Sequence, residues 1–489
     1  MTNPIVRNLQ DASRTTLNVL AVFFAFPLML MLAGCSNTIS VQLGGVGTGS
    51  VSSNPQGISC GAGGTACSDV TSSGTPVVLT ATASSGSVFA GWGGACAGSG
   101  VTCSFTLNSD TSAIAYFRTT QVSTGAYHTC GLKMDGTVKC WGRWNEGQLG
   151  RGTTNNSGGY NQVPVAITNL ANVVAIATGA YHTCALLVDG TVQCWGRNTE
   201  AQAGGGGFNN FSAPTPVMLY GGSGLGIAAG GYHSCVLVND GSVKCWGYNH
   251  DHEIADLPYD AIVPPAPIGN VGGAIAVTAG AYHSCALIAG GGVDCWGYNH
   301  DGETGSNPGW FNNVSIGAAL QVDAATGAGV EGTTAQGGYH TCAILSSGGA
   351  ISCWGYNGHG ELGNGNTIGP QPTGTPVAVA GLPGPASRVA AGGYHTCAIV
   401  NGSILCWGAN ESAQLGRGTR GNDILAPGLV SSVLPSALSV DAGAYHTCAV
   451  FSGATDDVRC WGRNTEGEVG RNGTSFTDPV TSPMKLMDF

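Results

Sequence analysis

Nineteen cysteines and eleven histidines carry most of the reactive chemistry of this 489-residue chain, and they are spaced repetitively. Seven times the chain writes Tyr-His-Thr/Ser-Cys, a short segment, and then Cys-Trp-Gly. The copies start at Tyr127, Tyr181, Tyr232, Tyr282, Tyr339, Tyr394 and Tyr445. Two chemistries are open to such residues, metal ligation and disulfide formation. No paired CxxC zinc spacing and no CxxCH haem-attachment motif occurs. The intra-repeat cysteine separations are 10, 10, 10, 10, 11, 9 and 12 residues. A hairpin explains this spread. The two-residue loop Asn401-Gly402 sets Cys397 opposite Cys406, and a three-residue loop ending at Gly190 sets Cys184 opposite Cys194. Four residues, Ser346 to Gly349, and five, Ser452 to Asp456, restore the same register for Cys342–Cys353 and Cys448–Cys460. Facing strand positions lie roughly 4.5–5.5 Å apart at Cβ, near disulfide range. The expected pairs are therefore Cys130–Cys140, Cys184–Cys194, Cys235–Cys245, Cys285–Cys295, Cys342–Cys353, Cys397–Cys406 and Cys448–Cys460.

Four further cysteines precede the repeats. Cys60–Cys67 and Cys96–Cys103 are favoured because each pair brackets a short Gly-containing segment, while two other connectivities stay open. The recurring His128, His182, His233, His283, His340, His395 and His446 can be imagined as a metal ring, but a residue repeated in every copy reads first as packing. The run His250-Asp251-His252-Glu253, echoed by His300-Asp301-Gly302-Glu303, is a weak metal candidate; a solvated polar loop is the preferred reading. No Gly-x-Ser-x-Gly, no phosphate-cradling glycine loop with Lys and no His-Glu-x-x-His is present. A non-enzymatic protein without metal or cofactor is expected.

The elements that position these residues follow from the period. Steps of 54, 51, 50, 57, 55 and 51 residues, read as strands and tight turns, indicate propeller blades. Gly at 82 of 489 residues, with 43% hydrophobic residues, fits turn-dense β structure rather than disorder. Residues 125–150 show the unit: Gly125, His128, Leu132, Asp135-Gly136, Trp141-Gly142, Asn145 and Gly147-Gln148-Leu149-Gly150. This pattern resembles the regulator of chromosome condensation repeat family over about 119–489. The resemblance implies a seven-bladed β-propeller, so the fold class expected is all-β, with a small N-terminal β domain ahead of the propeller. Trp141 through Trp461 are expected in the blade cores, and Asn145 and its equivalents are expected to hold the following turn. Because the first copy begins abruptly at Gln121, Pro479–Leu486 is expected to supply what blade one lacks.

Residues 38–118 have another grammar of short alternating strands, and Phe89-Ala90-Gly91-Trp92 resembles the divergent internalin-type B-repeat domain. Its expected role is a spacer. Ahead of it, Arg7 and Arg14 precede the uncharged run Leu17–Leu32 and the sequence Leu32-Ala33-Gly34-Cys35. This resembles a bacterial lipoprotein signal peptide, which implies a leader over 1–34, lipidation of Cys35, a tether over 35–37, and a place in the cell envelope, at the outer membrane or cell surface. Removing Cys35 leaves 18 cysteines, an even number suited to an oxidising compartment.

The net charge of −11, with only 16 Lys and Arg, argues against nucleic acid as partner. Aromatics outside the repeat pattern mark a candidate binding face: Trp144, Tyr160, Phe208, Phe211, Tyr259, Trp310 and Phe311. The expectation is a monomeric, surface-tethered recognition scaffold that binds a protein or glycan through variable loops and the membrane through Cys35. The alternative is an enzyme inhibitor of the kind the beta-lactamase inhibitory propeller represents. Guanine nucleotide exchange, the activity of the nuclear family member, fits poorly with export and disulfides.

Overall fold

The computed structural model describes residues 35–153, 159–254, 263–305, 309–324, 338–367, 374–430, 434–453, 457–471, 479–486 and 489; the expected leader, residues 1–34, lies outside them. Every regular element among the described residues is a strand. Blade one is an antiparallel sheet of Gln121–Thr124, His128–Leu132, Val138–Arg143 and Tyr160–Ala166 in that order, and six further four-stranded sheets repeat it along the chain. The first strands of the blades meet in succession around the axis, from Gln121–Thr124 through Val173–Thr178 to Ala437–Ala442, which returns to Gln121–Thr124. The ring is a seven-bladed β-propeller.

Within each blade the second and third strands form a hairpin in which the two cysteines face each other, Cys130 against Cys140 and Cys397 against Cys406 among them. Asn401 and Gly402 take the positive φ values, 51° and 75°, that a tight two-residue loop needs. The seven hairpin disulfides close with Cα atoms 4.0–4.1 Å apart. Cys60–Cys67 and Cys96–Cys103 close in the N-terminal domain, and Cys35 is left as an exposed thiol.

Neighbouring blades are joined by a repeated polar relay in a buried interface. His128 Nε2 lies 2.8 Å from Thr183 Oγ1 in the next blade, and Thr183 Oγ1 donates back to the Gln148 carbonyl at 3.0 Å. Trp195 Nε1 donates to the same carbonyl at 2.8 Å. A hydroxyl has one proton to give, so the imidazole must be the donor from Nε2. The imidazole–hydroxyl contact recurs around the ring for His182, His233, His283, His340 and His395 at 2.7–2.8 Å. His446 closes the circle on Thr129 of blade one at 2.8 Å. All seven imidazoles are buried, and burial pushes their pKa down to about 3, so they stay neutral. The glycine two residues before the motif tyrosine leaves room for this: a Cβ at Gly125 would stand 2.8 Å from the His128 ring and 2.4 Å from the Gly179 carbonyl.

The C-terminal strand does not supply a missing strand to blade one. Val480–Lys485 is the outermost strand of blade seven, and every blade comes from one contiguous stretch of chain. Closure is instead made by contacts across the seam. Asp441 Oδ2 accepts from Thr124 N and Oγ1, both at 2.6 Å, and Glu468 O accepts from Thr129 Oγ1 and Trp141 Nε1, both at 2.8 Å. Phe489 then packs edge-on against Trp141 and over Gly131, where a Cβ would lie 2.2 Å from its ring.

The N-terminal domain is a two-sheet unit cored by Ile39, Val41, Leu79, Trp92, Leu107 and Phe117. It is not a free spacer. Ile114 and Tyr116 are fully buried in one cluster with Val174, Leu186 and Val238 of the propeller. Tyr116 donates its hydroxyl to Gly224 O at 2.7 Å, Gly45 N to Leu225 O at 3.0 Å, and Arg118 Nε to Met134 O at 2.7 Å. The domain thereby sits on blades one to three.

The seam yields a stability test. Phe489→Ala should lower the stability of the propeller by about 2 kcal/mol, because a half-buried ring is removed from Trp141 and Gly131. Urea denaturation would read this as a lower midpoint with unchanged slope, and an unshifted midpoint would remove Phe489 from the closure.

Candidate functional site

The blade geometry separates two faces. Hairpin turns and blade-to-blade connections open on one face, where Asn239 O accepts from Gln42 Nε2 of the N-terminal domain. The turn from first to second strand and the connection from third to fourth strand open on the other. That second face carries the tyrosine of every Tyr-His-Thr/Ser-Cys motif. Successive rings touch around the channel mouth, with centroids 5.5 Å apart for Tyr127–Tyr181, 6.3 Å for Tyr181–Tyr232, 5.6 Å for Tyr232–Tyr282, 5.9 Å for Tyr282–Tyr339 and 5.4 Å for Tyr394–Tyr445.

The residue after each Cys-Trp-Gly stands over this ring and divides it. It is Arg143, Arg197 and Arg463 in blades one, two and seven, Tyr248, Tyr298 and Tyr356 in blades three to five, and Ala409 in blade six. The preceding glycine has to be glycine: Gly142 has φ of 103°, and a Cβ there would lie 2.7 Å from the Tyr127 carbonyl. On the arginine side the guanidinium carbons sit 5.0–5.7 Å above tyrosine rings. On the tyrosine side a cavity of about 310 Å³ opens, walled by Tyr232, Tyr248, Tyr282, Tyr298 and Tyr339. Glu200 and Asp251 bring carboxyl groups to its edge, and His250 is stacked on Tyr248 at 5.8 Å.

A recurring turn sets these side chains. Asn198, Asn249, Asn299, Asn357, Asn410 and Asn464 each accept, through Oδ1, a backbone N–H five residues on, at 2.9–3.3 Å. Blade one departs: Trp144 occupies that position, and Asn145, one residue later, has a buried Oδ1 without a hydrogen bond. Four residues beyond the Asn, a Gln or Glu accepts the backbone N–H two residues before it, as with Gln202 Oε1 from Glu200 N and Glu253 Oε2 from Asp251 N. Glu253, Glu303, Glu361 and Glu468 are buried, and burial pushes Glu253 up to about 8 and Glu361 and Glu468 to about 7. Burial thus favours their protonated form in a place where glutamine serves elsewhere.

The metal candidates do not converge. Glu253 and Glu303 turn inward onto backbone N–H groups, His300 stacks on Tyr298 at 6.1 Å, and His252 stacks on Trp310 at 5.3 Å. No group of three or more His, Cys, Asp or Glu suited to a metal ion occurs among the described residues. Of the aromatics read from sequence, Tyr160 and Phe208 are exposed, whereas Trp144, Phe211, Trp310 and Phe311 pack against blade cores. Tyr259 lies outside the described residues. The tyrosine ring was missed because it belongs to the repeat itself; its signal was the switch from Arg to Tyr after Cys-Trp-Gly.

The raised Glu253 carboxyl gives a pH signature. An acid with folded pKa raised above 4.5 supports the fold fully below pH 4.5, and that support is lost as pH rises through its folded value. Glu253→Gln should therefore raise the melting temperature by roughly 5 °C at pH 8.5 and leave it nearly unchanged at pH 4.5. Scanning calorimetry at the two pH values checks this, and an equal shift at both would contradict a buried neutral acid.

Comparison with known proteins places this geometry in a family. Two models of the regulator of chromosome condensation (RCC1) repeat match, one at residues 120–148, 173–202, 226–253, 274–303 and 438–468, the other at 135–186, 349–399 and 401–450. A divergent InlB B-repeat domain matches residues 57–121. The chain is 28% identical over 365 residues to the ultraviolet-B receptor UVR8 of Arabidopsis thaliana, covering 71% of this chain and 78% of that one. It is 26% identical over 345 residues to the human E3 ubiquitin-protein ligase HERC2, covering 69% of this chain and 7% of that protein. Among solved structures, Prp20p of Saccharomyces cerevisiae is similar with a TM-score of 0.62 at 19% identity, over 72% of this chain and 85% of its own. Human WBSCR16 is similar with a TM-score of 0.59 at 20% identity, over 73% and 92%. The chain belongs to the regulator of chromosome condensation (RCC1) repeat family, with a divergent InlB B-repeat domain on its N-terminal side.

Proposed function

We propose that this protein is a non-enzymatic recognition scaffold of the cell envelope, tethered through a lipidated Cys35 and presenting its tyrosine face to a macromolecular partner. The observation that carries the reading is the opposition of the two faces. The N-terminal domain, which begins directly after Cys35, is seated against the hairpin side of blades one to three. The tyrosine ring and its cavity lie on the other side. A tether at Cys35 then holds the hairpin side toward the membrane and leaves the tyrosine side accessible.

Chemistry supports binding over catalysis. The cavity is walled by aromatic rings with a few carboxyl groups at its edge, a composition suited to recognition. The imidazole that recurs in every blade is buried in the blade interface and does not line the cavity. Binding of Gsp1p and histones is named for Prp20p; for this chain the partner is sought in the envelope.

Site-specific photocrosslinking in intact cells tests the reading. A photoreactive residue in place of His300, whose side chain is 76% exposed beside Tyr298, should capture a discrete envelope partner. The same residue in place of Val70, 63% exposed on the N-terminal domain, should not. Capture from Val70 alone, or equal capture from both, would overturn the assignment of the tyrosine face. A Cys35→Ser variant that stays in the membrane fraction would overturn the tether.

A further inference from the structure

The arginine side of the ring shows what this tyrosine surface accommodates. Arg143 places its guanidinium carbon 5.5 Å from the Tyr127 centroid and 5.7 Å from Tyr181. Arg197 stands 5.6 Å from Tyr181 and 5.3 Å from Tyr232, and Arg463 stands 5.0 Å from Tyr127 and 5.3 Å from Tyr445. Each cation thus spans two neighbouring rings. Each also meets a carboxylate three residues on: Glu146 at 2.8 Å, Glu200 at 3.0 Å and Glu466 at 3.8 Å. Two tyrosine faces and one carboxylate make a cation seat, and blades seven, one and two fill theirs from within.

Blades three and four keep the paired rings and carry tyrosine in place of the arginine. The paired rings continue as Tyr232–Tyr282 and Tyr282–Tyr339. Asp251 and Asp301 stand where Glu146, Glu200 and Glu466 stand in the other blades, one methylene shorter. Tyr248 and Tyr298 replace the arginines and form side walls, with Tyr248 6.4 Å from Tyr232 and Tyr298 5.4 Å from Tyr339. The space between them is the cavity of about 310 Å³, with room for a guanidinium or a methylated ammonium group on a side chain. The local field has the matching sign. Burial, aided by neighbouring carboxyl groups, pushes the Tyr298 hydroxyl up to about 12, and the whole chain carries a net charge of −11.

We infer that the cavity walled by Tyr232, Tyr248, Tyr282, Tyr298 and Tyr339 is a receptor for an organic cation, a guanidinium or alkylammonium group borne by the partner. The inference rests on the tyrosine face being the recognition face and names the chemistry that face selects. The ring quadrupoles attract the cation, the Asp251 carboxylate adds negative charge at the cavity wall, and partial burial strengthens both. A neutral sugar finds aromatic walls in the same cavity but does not draw on the carboxylates or on the sign of the field.

Calorimetric titration of the oxidised protein tests this with three probes: N-acetyl-arginine amide, choline and N-acetylglucosamine. The decisive variant is Tyr248→Arg. It installs the residue that blades one, two and seven already carry at this position, so it fits the fold while occupying the seat from within. At least one of the two cations should bind saturably and the sugar should not; which cation binds separates guanidinium from quaternary ammonium recognition. Tyr248→Arg should weaken that binding by at least about tenfold, and Asp251→Asn by several-fold, with disulfides and melting temperature retained. Absence of saturable binding by either cation, a sugar that binds as well as they do, or unchanged affinity in Tyr248→Arg would overturn the inference. Such a failure beside intact crosslinking from position 300 would remove the cation seat and leave the scaffold reading in place.

Discussion

One hydroxyl between each pair of blades holds this molecule together. Thr183 receives a proton from His128 and gives its own to the carbonyl of Gln148, where the Trp195 indole also ends. The site is buried, so breaking the hydroxyl contact would cost the desolvation of a buried polar group. That constraint dictates the recurring residues together. The imidazole must stay neutral, the glycine two residues before the motif tyrosine must lack a Cβ, and the indole must reach back across the interface. The hairpin disulfide fixes the two strands that carry the histidine and the tryptophan. Seven imidazole–hydroxyl contacts bend the chain into a circle, and the last, His446 to Thr129, needs no exchanged strand.

A scaffold built on identical joints leaves few places for individuality. The position after Cys-Trp-Gly is one of them, because its side chain leaves the blade over the tyrosine ring. Arginine there neutralises the carboxylate three residues on and covers the rings, as in blades one, two and seven. Tyrosine there adds a further aromatic wall, with Asp251 lining the cavity and Asp301 beside His300 at 3.4 Å. One substitution pattern, repeated in consecutive blades, thus turns a symmetric mouth into a face with a covered half and an open half. The N-terminal domain adds a second asymmetry by occupying the opposite side of blades one to three, where Tyr116 and Gly45 reach backbone carbonyls of the propeller.

Much of the fold was legible in the sequence because its physics is local. The loops at Asn401-Gly402 and Ser346–Gly349 reveal the hairpin register, and the register reveals which cysteines face each other. Closure was misread because a repeat motif does not announce its innermost strand; the abrupt start at Gln121 is simply the first strand of the first blade. The seating of the N-terminal domain was invisible because its acceptors, such as Gly224 O, are backbone atoms with no side-chain signature. The aromatics on variable loops misled for another reason. Trp310 and Phe311 have the composition of exposed anchors, yet they pack against a blade core, and Trp144 fills the place of a turn asparagine. The tyrosine ring lay hidden in the part of the motif that looks purely structural.

The claim on which the rest stands is that seven neutral imidazoles, each protonated at Nε2, form a closed circuit between blades. Nitrogen-15 NMR of the histidine-labelled, oxidised protein reads tautomer and charge directly. Seven imidazoles in the Nε2–H form that do not titrate between pH 4 and pH 8 are the predicted result, in keeping with pKa values pushed to about 3 by burial. Blade histidines that protonate within that range, or that carry the proton at Nδ1, would contradict the relay and the closed ring derived from it.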